Sequence, residues 1–183
     1  MTTPHQILTT VTTLAHALDA LDLPLFTTLF THHSPITYDI SQHLPQYPSQ
    51  DLSVSDLASK LRLGLGGFTA TQHYLSNPLV TVREGEGGKE ASVKAYVTVF
   101  HFLADEEGKS GEWEGEDDVD GEGKSLTMRG SWDVDLLEEE GRWVVRKVVV
   151  RRAVPLEGER DLYKRAEERV SRGLVREGTR VYA

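Results

Sequence analysis

The 183-residue sequence contains no cysteine. That absence excludes disulfides, thiolate metal sites and cysteine nucleophiles, and it fits a reducing compartment, so a cytoplasmic protein is expected. No run of eighteen apolar residues occurs, which argues against a transmembrane helix and against a membrane partner. The opening "MTTPHQILTTVTTLAHALDAL" lacks the basic start and compact apolar block of a secretory signal. A glycine-rich phosphate loop and an HExxH pair are also missing, and no spacing supports a Ser-His-Asp triad. Neither a cofactor nor a metal is therefore expected.

Basic charge is scarce as a continuous face. The net charge is −9, but residues 105–125, "DEEGKSGEWEGEDDVDGEGKS", carry ten acids against two lysines, leaving the rest of the chain near neutral. The basic clusters "VVRKVVVRR" and "YKRAEERVSRGLVR" are interleaved with valines or glutamates. They read as solvated faces rather than a phosphate track, so no nucleic-acid partner is expected. The acidic stretch has five glycines and only Trp113 and Val119 as sizeable apolar residues, and it reads as a mobile loop. "EDDVDGEG" is rich in carboxylates but lacks the ligand spacing of a calcium-binding loop.

What is present reads as one domain spanning 1–183. Ile7, Leu8, Val11, Leu14, Ala15 and Leu18 follow helical spacing, and Leu21, Leu25, Leu29 and Phe30 continue it after Asp22-Leu23-Pro24. This predicts helices over roughly 4–20 and 23–31, with Asp22 as a cap and Pro24 in the first turn. Ile36, Tyr38 and Ile40 alternate with polar residues, as in a short strand. "QHLPQYPSQD" reads as loop, and "SVSDLASKLRLGL" as a third helix capped by Ser53 or Ser55. Strands follow at roughly 70–83, 90–104, 125–139 and 142–154, then an amphipathic helix at 159–176 on Leu162, Ala166, Val170 and Leu174. Helices first, then a bent meander, make an α+β order.

Parity along the strands nominates a site. In "EASVKAYVTVFHFL", Val93, Ala95, Val97, Val99 and His101 share one face, and Tyr96, Phe100 and Phe102 the other. In "SLTMRGSWDVDLL", Met128, Trp132, Val134 and Leu136 form the apolar face. In "GGFTATQHYLSNPLV", residues 66–80, His73 is either a surface residue at a strand entry or points into a cavity. Asn77 before Pro78 is a turn or bulge former, or a pocket contact. The His32–His33 pair reads as surface.

These pieces resemble a known family. "ATQHYLSNPLVTV", "ASVKAYVTVFH" and "MRGSWDVDLLEEEGRWVVRKVVVR", in that order, resemble the SnoaL-like group of the nuclear-transport-factor-2-like superfamily, within it the scytalone dehydratases. The resemblance covers about residues 5–155. It implies a cone-shaped, strongly curved antiparallel sheet with the N-terminal helices on its concave side and an added C-terminal helix. It also implies that His73 and His101 are catalytic histidines, that Asp19 orients a histidine, and that Tyr38 is one of two tyrosines holding a water against a substrate carbonyl. The other tyrosine position carries Leu18, and the family's serine and asparagine are replaced by Trp132 and Val134. Such a pocket is more apolar and argues against an identical dehydration.

Two functions follow. In the first, Asp19, Tyr38, His73 and His101 perform cofactor-free proton transfer as a lyase, cyclase or isomerase. The substrate is a hydrophobic, carbonyl-bearing metabolite of polyketide or terpenoid type. Trp132, Val97, Val99, Met128, Val134 and Asn77 contact it. In the second, the fold is a non-catalytic binding module. Tyr96, Phe100 and Phe102 would then join copies through the sheet as a dimer or trimer. In the bland alternative His73, His101, Asp19 and Tyr38 are ordinary strand, core or surface residues.

Overall fold

The computed structural model describes residues 3–85, 88–104 and 123–176. Most of the acidic stretch, residues 105–122, lies outside them, as does the carboxylate run apart from its last glycine.

Helix α1 spans Thr3–Ala20 and buries Ile7, Val11, Leu14 and Leu18. Burying a side chain of that size contributes roughly 1.5–3 kcal/mol, so this stripe anchors the helix to the sheet. Leu21, in the left-handed region at φ 51°, reverses the chain. Helix α2, Leu23–Thr28, starts where Asp22 Oδ1 accepts from the Leu25 N–H at 2.9 Å, satisfying one of the free donors of a helix start. Strand β1 is Ile36–Asp39 and β2 is Gln50–Leu52, which begins in the last two residues of the stretch expected to be loop. Helix α3, Val54–Leu65, is capped by Ser53 Oγ, which accepts from the Asp56 N–H at 3.1 Å.

Four long strands complete the body: β3 Ala70–Gly85, β4 Gly88–Ala104, β5 Gly123–Glu139 and β6 Arg142–Arg152. The sheet order is β2-β1-β6-β5-β4-β3. It is curved, unclosed and mixed: β3 to β6 are antiparallel, whereas β1 joins β6 in parallel. Register shifts at Ser76/Leu79 and Asp135/Leu136 insert bulges, which bend a strand and sharpen its twist. Three basic side chains of β6 are paired with acids, Arg151 with Asp133, Arg146 with Glu90 and Lys147 with Asp135.

The tail departs from the expected single helix. A two-residue strand β7, Glu157–Gly158, pairs with β5, and helix α4 covers only Leu162–Ser171. Gly173, at φ 80°, ends the helix by adopting a conformation that other residues resist. Leu174 consequently points to solvent, while Leu162 and Ala166 pack on Phe68, Leu103 and Leu126. Helix α4 comes so close to Gly67 that a Cβ there would lie 1.9 Å from the Ala166 carbonyl oxygen.

The strand parity is as expected: Val93, Ala95, Val97, Val99 and His101 are all buried, with Met128, Trp132, Val134 and Leu136 beside them. The main core lies between this concave face and α1 to α3. Among the described residues no helix is long and apolar enough to cross a membrane.

Candidate functional site

The site is built on three inward rungs of the sheet. Thr71, His101 and Leu126 form one rung, His73, Val99 and Met128 the next, and Leu75, Val97 and Gly130 the third. His73 and His101 are therefore diagonal neighbours on the same face, a relation that puts Cα atoms about 7–8 Å apart.

His73 is held by Asp19 at the end of α1. Asp19 Oδ1 lies 2.6 Å from Nδ1, and Oδ2 accepts from the backbone N–H of His73 at 2.9 Å. A carboxylate only accepts, so Nδ1 carries a proton, and in the neutral ring it is Nε2 that holds the lone pair. The Trp132 ring lies against this imidazole at 5.3 Å between centroids. The side chain of His73 is 7 % exposed.

His101 is 3 % exposed and packed by Phe68 and Tyr163 at 4.8 and 4.9 Å between ring centroids. Burial drives its pKa down to about 3, with the charge of His73 a secondary cause, so the ring is neutral at pH 7. Its Nε2 lies 3.1 Å from the Tyr163 hydroxyl of α4. The same hydroxyl lies 3.0 Å from Nε2 of His43, itself only 5 % exposed. Burial lowers His43 to about 4 and pushes the Tyr163 phenol up. Tyr38, on β1, is pushed up to about 12 by burial, so it remains a hydroxyl at any ordinary pH; a charge on it would be felt at Tyr163.

Arg176 closes the group from the tail. Its Nη2 donates to the Leu18 carbonyl at 3.1 Å and to Thr71 Oγ1 at 3.0 Å, and its own N–H donates to the Gly66 carbonyl. Burial disfavours the guanidinium charge, and Asp19 supports it. Arg176 thus bonds to the carbonyl of the residue that the resemblance aligns with a tyrosine.

The structure brings Asp19 and His73 into contact and sets His101 on the same face, but it gives the two imidazoles different partners. Val97, Val99, Met128, Trp132 and Val134 are packed in the main core. Asn77 is exposed, at φ 49° in the β3 bulge, a conformation asparagine tolerates better than most residues. Two cavities, of about 180 and 210 Å³, lie elsewhere, one beside His32, His33 and Glu139 and the other beside Leu103, Arg165 and Arg169; neither is lined by His73 or His101. Among the described residues no group of three or more histidines and carboxylates converges as a metal site.

Sequence reasoning missed His43, Thr71, Tyr163 and Arg176. Tyr163 follows Leu162 on an amphipathic helix, and its position beside the apolar stripe was the one available signal. His43 stands among loop residues, where no periodicity operates.

The sequence profile of the SnoaL-like domain matches residues 2–149. The chain belongs to the SnoaL-like domain family. No curated protein matches it by sequence. This SnoaL-like chain is similar in fold to the Kfla4162 protein of Kribbella flavida, with 20 % identity over 89 % of this chain and 95 % of that one, at a TM-score of 0.66. It is also similar to a Novosphingobium aromaticivorans protein provisionally assigned as a scytalone dehydratase, at 14 % identity, 82 % and 84 % coverage and a TM-score of 0.58. A third similar structure is a hexachlorocyclohexane dehydrochlorinase of type 2, at 12 % identity, 85 % and 88 % coverage and a TM-score of 0.58. At these identities the likeness establishes the nuclear-transport-factor-2-like fold.

Proposed function

We propose that the protein is a cofactor-independent acid/base enzyme, a lyase, cyclase or isomerase acting on a hydrophobic, carbonyl-bearing secondary metabolite of polyketide or terpenoid type. The observation that carries this reading is the double grip of Asp19 on His73, which presents Nε2 as a base. His73 removes the proton next to the carbonyl. The C–H electron pair becomes a C=C bond and the carbonyl oxygen takes up the displaced pair. In an elimination that pair returns, and a β-substituent leaves with its bonding electrons. His101, neutral at pH 7, serves as a hydrogen-bond donor rather than as an imidazolium acid. Tyr38 supplies a second hydroxyl donor to the carbonyl. Val97, Val99, Met128, Trp132 and Val134 form the apolar wall against the substrate.

The family membership supports this reading, as do similar structures assigned as dehydratase and dehydrochlorinase, both names for elimination reactions. The test is a panel of hydrophobic β-hydroxy ketones assayed for loss of water with wild type, His73→Ala and His101→Ala. Loss of turnover in His73→Ala is expected; full activity in both variants would remove the mechanism.

A second reading draws on a different observation. Tyr96 is 64 % exposed on the outer face, with Tyr74 and Phe100 in edge contact beside it. An outward aromatic patch of this kind suits a sheet-to-sheet homo-oligomer, dimer or trimer, in which a binding role needs no open cavity. This reading is the non-catalytic alternative to the first, and it places its contact on the face of β4 opposite His101.

A further inference from the structure

We propose that Arg176 is a positioning residue: it clamps the C-terminal end of α1 to strand β3 and thereby holds the Asp19 carboxylate on His73. That His73 acts as a base rests on the function proposed above; the clamp itself can be measured without any substrate.

Asp19 is poorly placed on its own helix. It is the last residue but one of α1, and α1 has no basic residue in its last turn. The C-terminal end of a helix carries partial negative charge on its free carbonyl groups, so a carboxylate there is repelled and a cation is favoured. Arg176 brings that cation from a remote part of the chain. Its Nη2 donates at 3.1 Å to the Leu18 carbonyl, one of the last four of the helix. The Asp19 charge in turn favours the guanidinium.

The same nitrogen also donates to Thr71 Oγ1 at 3.0 Å. Leu18 immediately precedes Asp19, and Thr71 lies two residues before His73 on β3, on the same inward face. A closed ring of contacts results, from Nη2 to Leu18, from Asp19 to His73, and from Thr71 back to Nη2. Nη2 holds its two protons in a rigid plane, one for each acceptor, and so sets the spacing of the helix end from the strand.

The tail that delivers Arg176 is itself held. The Arg176 N–H donates at 2.8 Å to the carbonyl of Gly66, which caps α3, and Val175 packs so closely there that a Cβ on Gly66 would lie 3.0 Å from its Cγ1. Nε of Arg176 is buried without an acceptor among the described residues. A surface arginine would keep that N–H in water, so this placement carries a desolvation cost that the contacts to α1 and β3 offset. Arg176 also lies beyond residues 2–149, the span matched by the family profile, so the clamp belongs to the tail rather than to the shared domain.

The experiment is hydrogen exchange of the His73 Nδ1–H, followed by NMR of the 15N-labelled full chain at pH 7 in the wild type and in Arg176→Met. Methionine keeps an unbranched apolar stem but neither donates a hydrogen bond nor carries charge. The expected result is exchange faster by about tenfold or more at His73 Nδ1 in the variant, with the backbone amides of Val93 and Val134 unchanged. Unchanged exchange at His73 overturns the proposal. So does an equal acceleration at all three sites, which marks a general loosening of the fold. If Arg176→Met does not fold, Thr71→Val decides: it removes only the strand end of the clamp, the same selective acceleration is expected, and its absence overturns the proposal. Selective acceleration with a fully active His73→Ala removes the proposed function and upholds the clamp; unchanged exchange with an inactive His73→Ala does the opposite.

Discussion

Asp19 and His73, 54 residues apart in the chain, are joined by two hydrogen bonds from one carboxylate, to the ring Nδ1 at 2.6 Å and to the backbone N–H at 2.9 Å. The second bond fixes the carboxylate relative to the strand, so the first fixes the ring. In Asp19→Asn one oxygen is replaced by an amide donor, which cannot accept both protons. The expected loss in kcat is on the order of a hundredfold to ten-thousandfold, the range for a misdirected general base. Removing a charge-assisted bond from a half-buried pair also costs about 1–3 kcal/mol. Steady-state kinetics and denaturant unfolding measure the two effects separately.

Acid stability follows from the buried histidines. His43 and His101 have folded pKa values lowered to about 4 and about 3 from an ordinary 6.5. Between these values and 6.5 the unfolded chain binds more protons than the folded one, so stability rises with pH there. The contribution is complete above about pH 6.5, declines as pH falls, and is exhausted below the folded values. Urea unfolding at a series of pH values is expected to show this decline, and His43→Phe to flatten part of it.

Helix α4 holds Tyr163 against His101, and Gly67 permits its approach. Gly67→Ala would place a methyl group inside the Ala166 carbonyl. The expected cost is about 1–3 kcal/mol, as for other overpacked contacts, together with a change in the His101 ring signals. An unaltered melting temperature would count against the close docking of α4.

How much of this was legible depended on range. Alternation along β4 and β5 identified Val97, Val99, His101, Met128 and Trp132 as inward because a period of two needs no knowledge of the partner strand. Asp22 and Ser53 were readable as caps for the same local reason. The parallel seating of β1 on β6 was not, since it follows from a crossover through β2, α3 and the hairpins rather than from any pattern in "SPITYDIS". The grip of Asp19 on His73 came only through family resemblance; nothing periodic links a helix end to a strand so far away. His43 and Tyr163 meet across 120 residues, and a histidine just ahead of two loop prolines carries no sign of burial. Asn77 was read both as bulge former and as pocket contact, and it stands in the β3 bulge at φ 49°.

The outer face of β4 offers a further test. Tyr96→Lys places a charge in the exposed aromatic patch, where it costs little in a monomer but is repelled in a sheet-to-sheet contact. Sedimentation velocity is expected to show association in the wild type and a shift toward monomer in the variant. An identical distribution would remove this face as the contact.

The central claim is that His73, aimed by Asp19, takes a proton from carbon. Deuterium uptake from solvent at the α-carbon of hydrophobic enolisable ketones, followed by NMR with wild type and His73→Ala side by side, tests it most directly. The account predicts uptake with the wild type and a loss of about a hundredfold or more in the variant. Uptake at equal rates in the two proteins would contradict it.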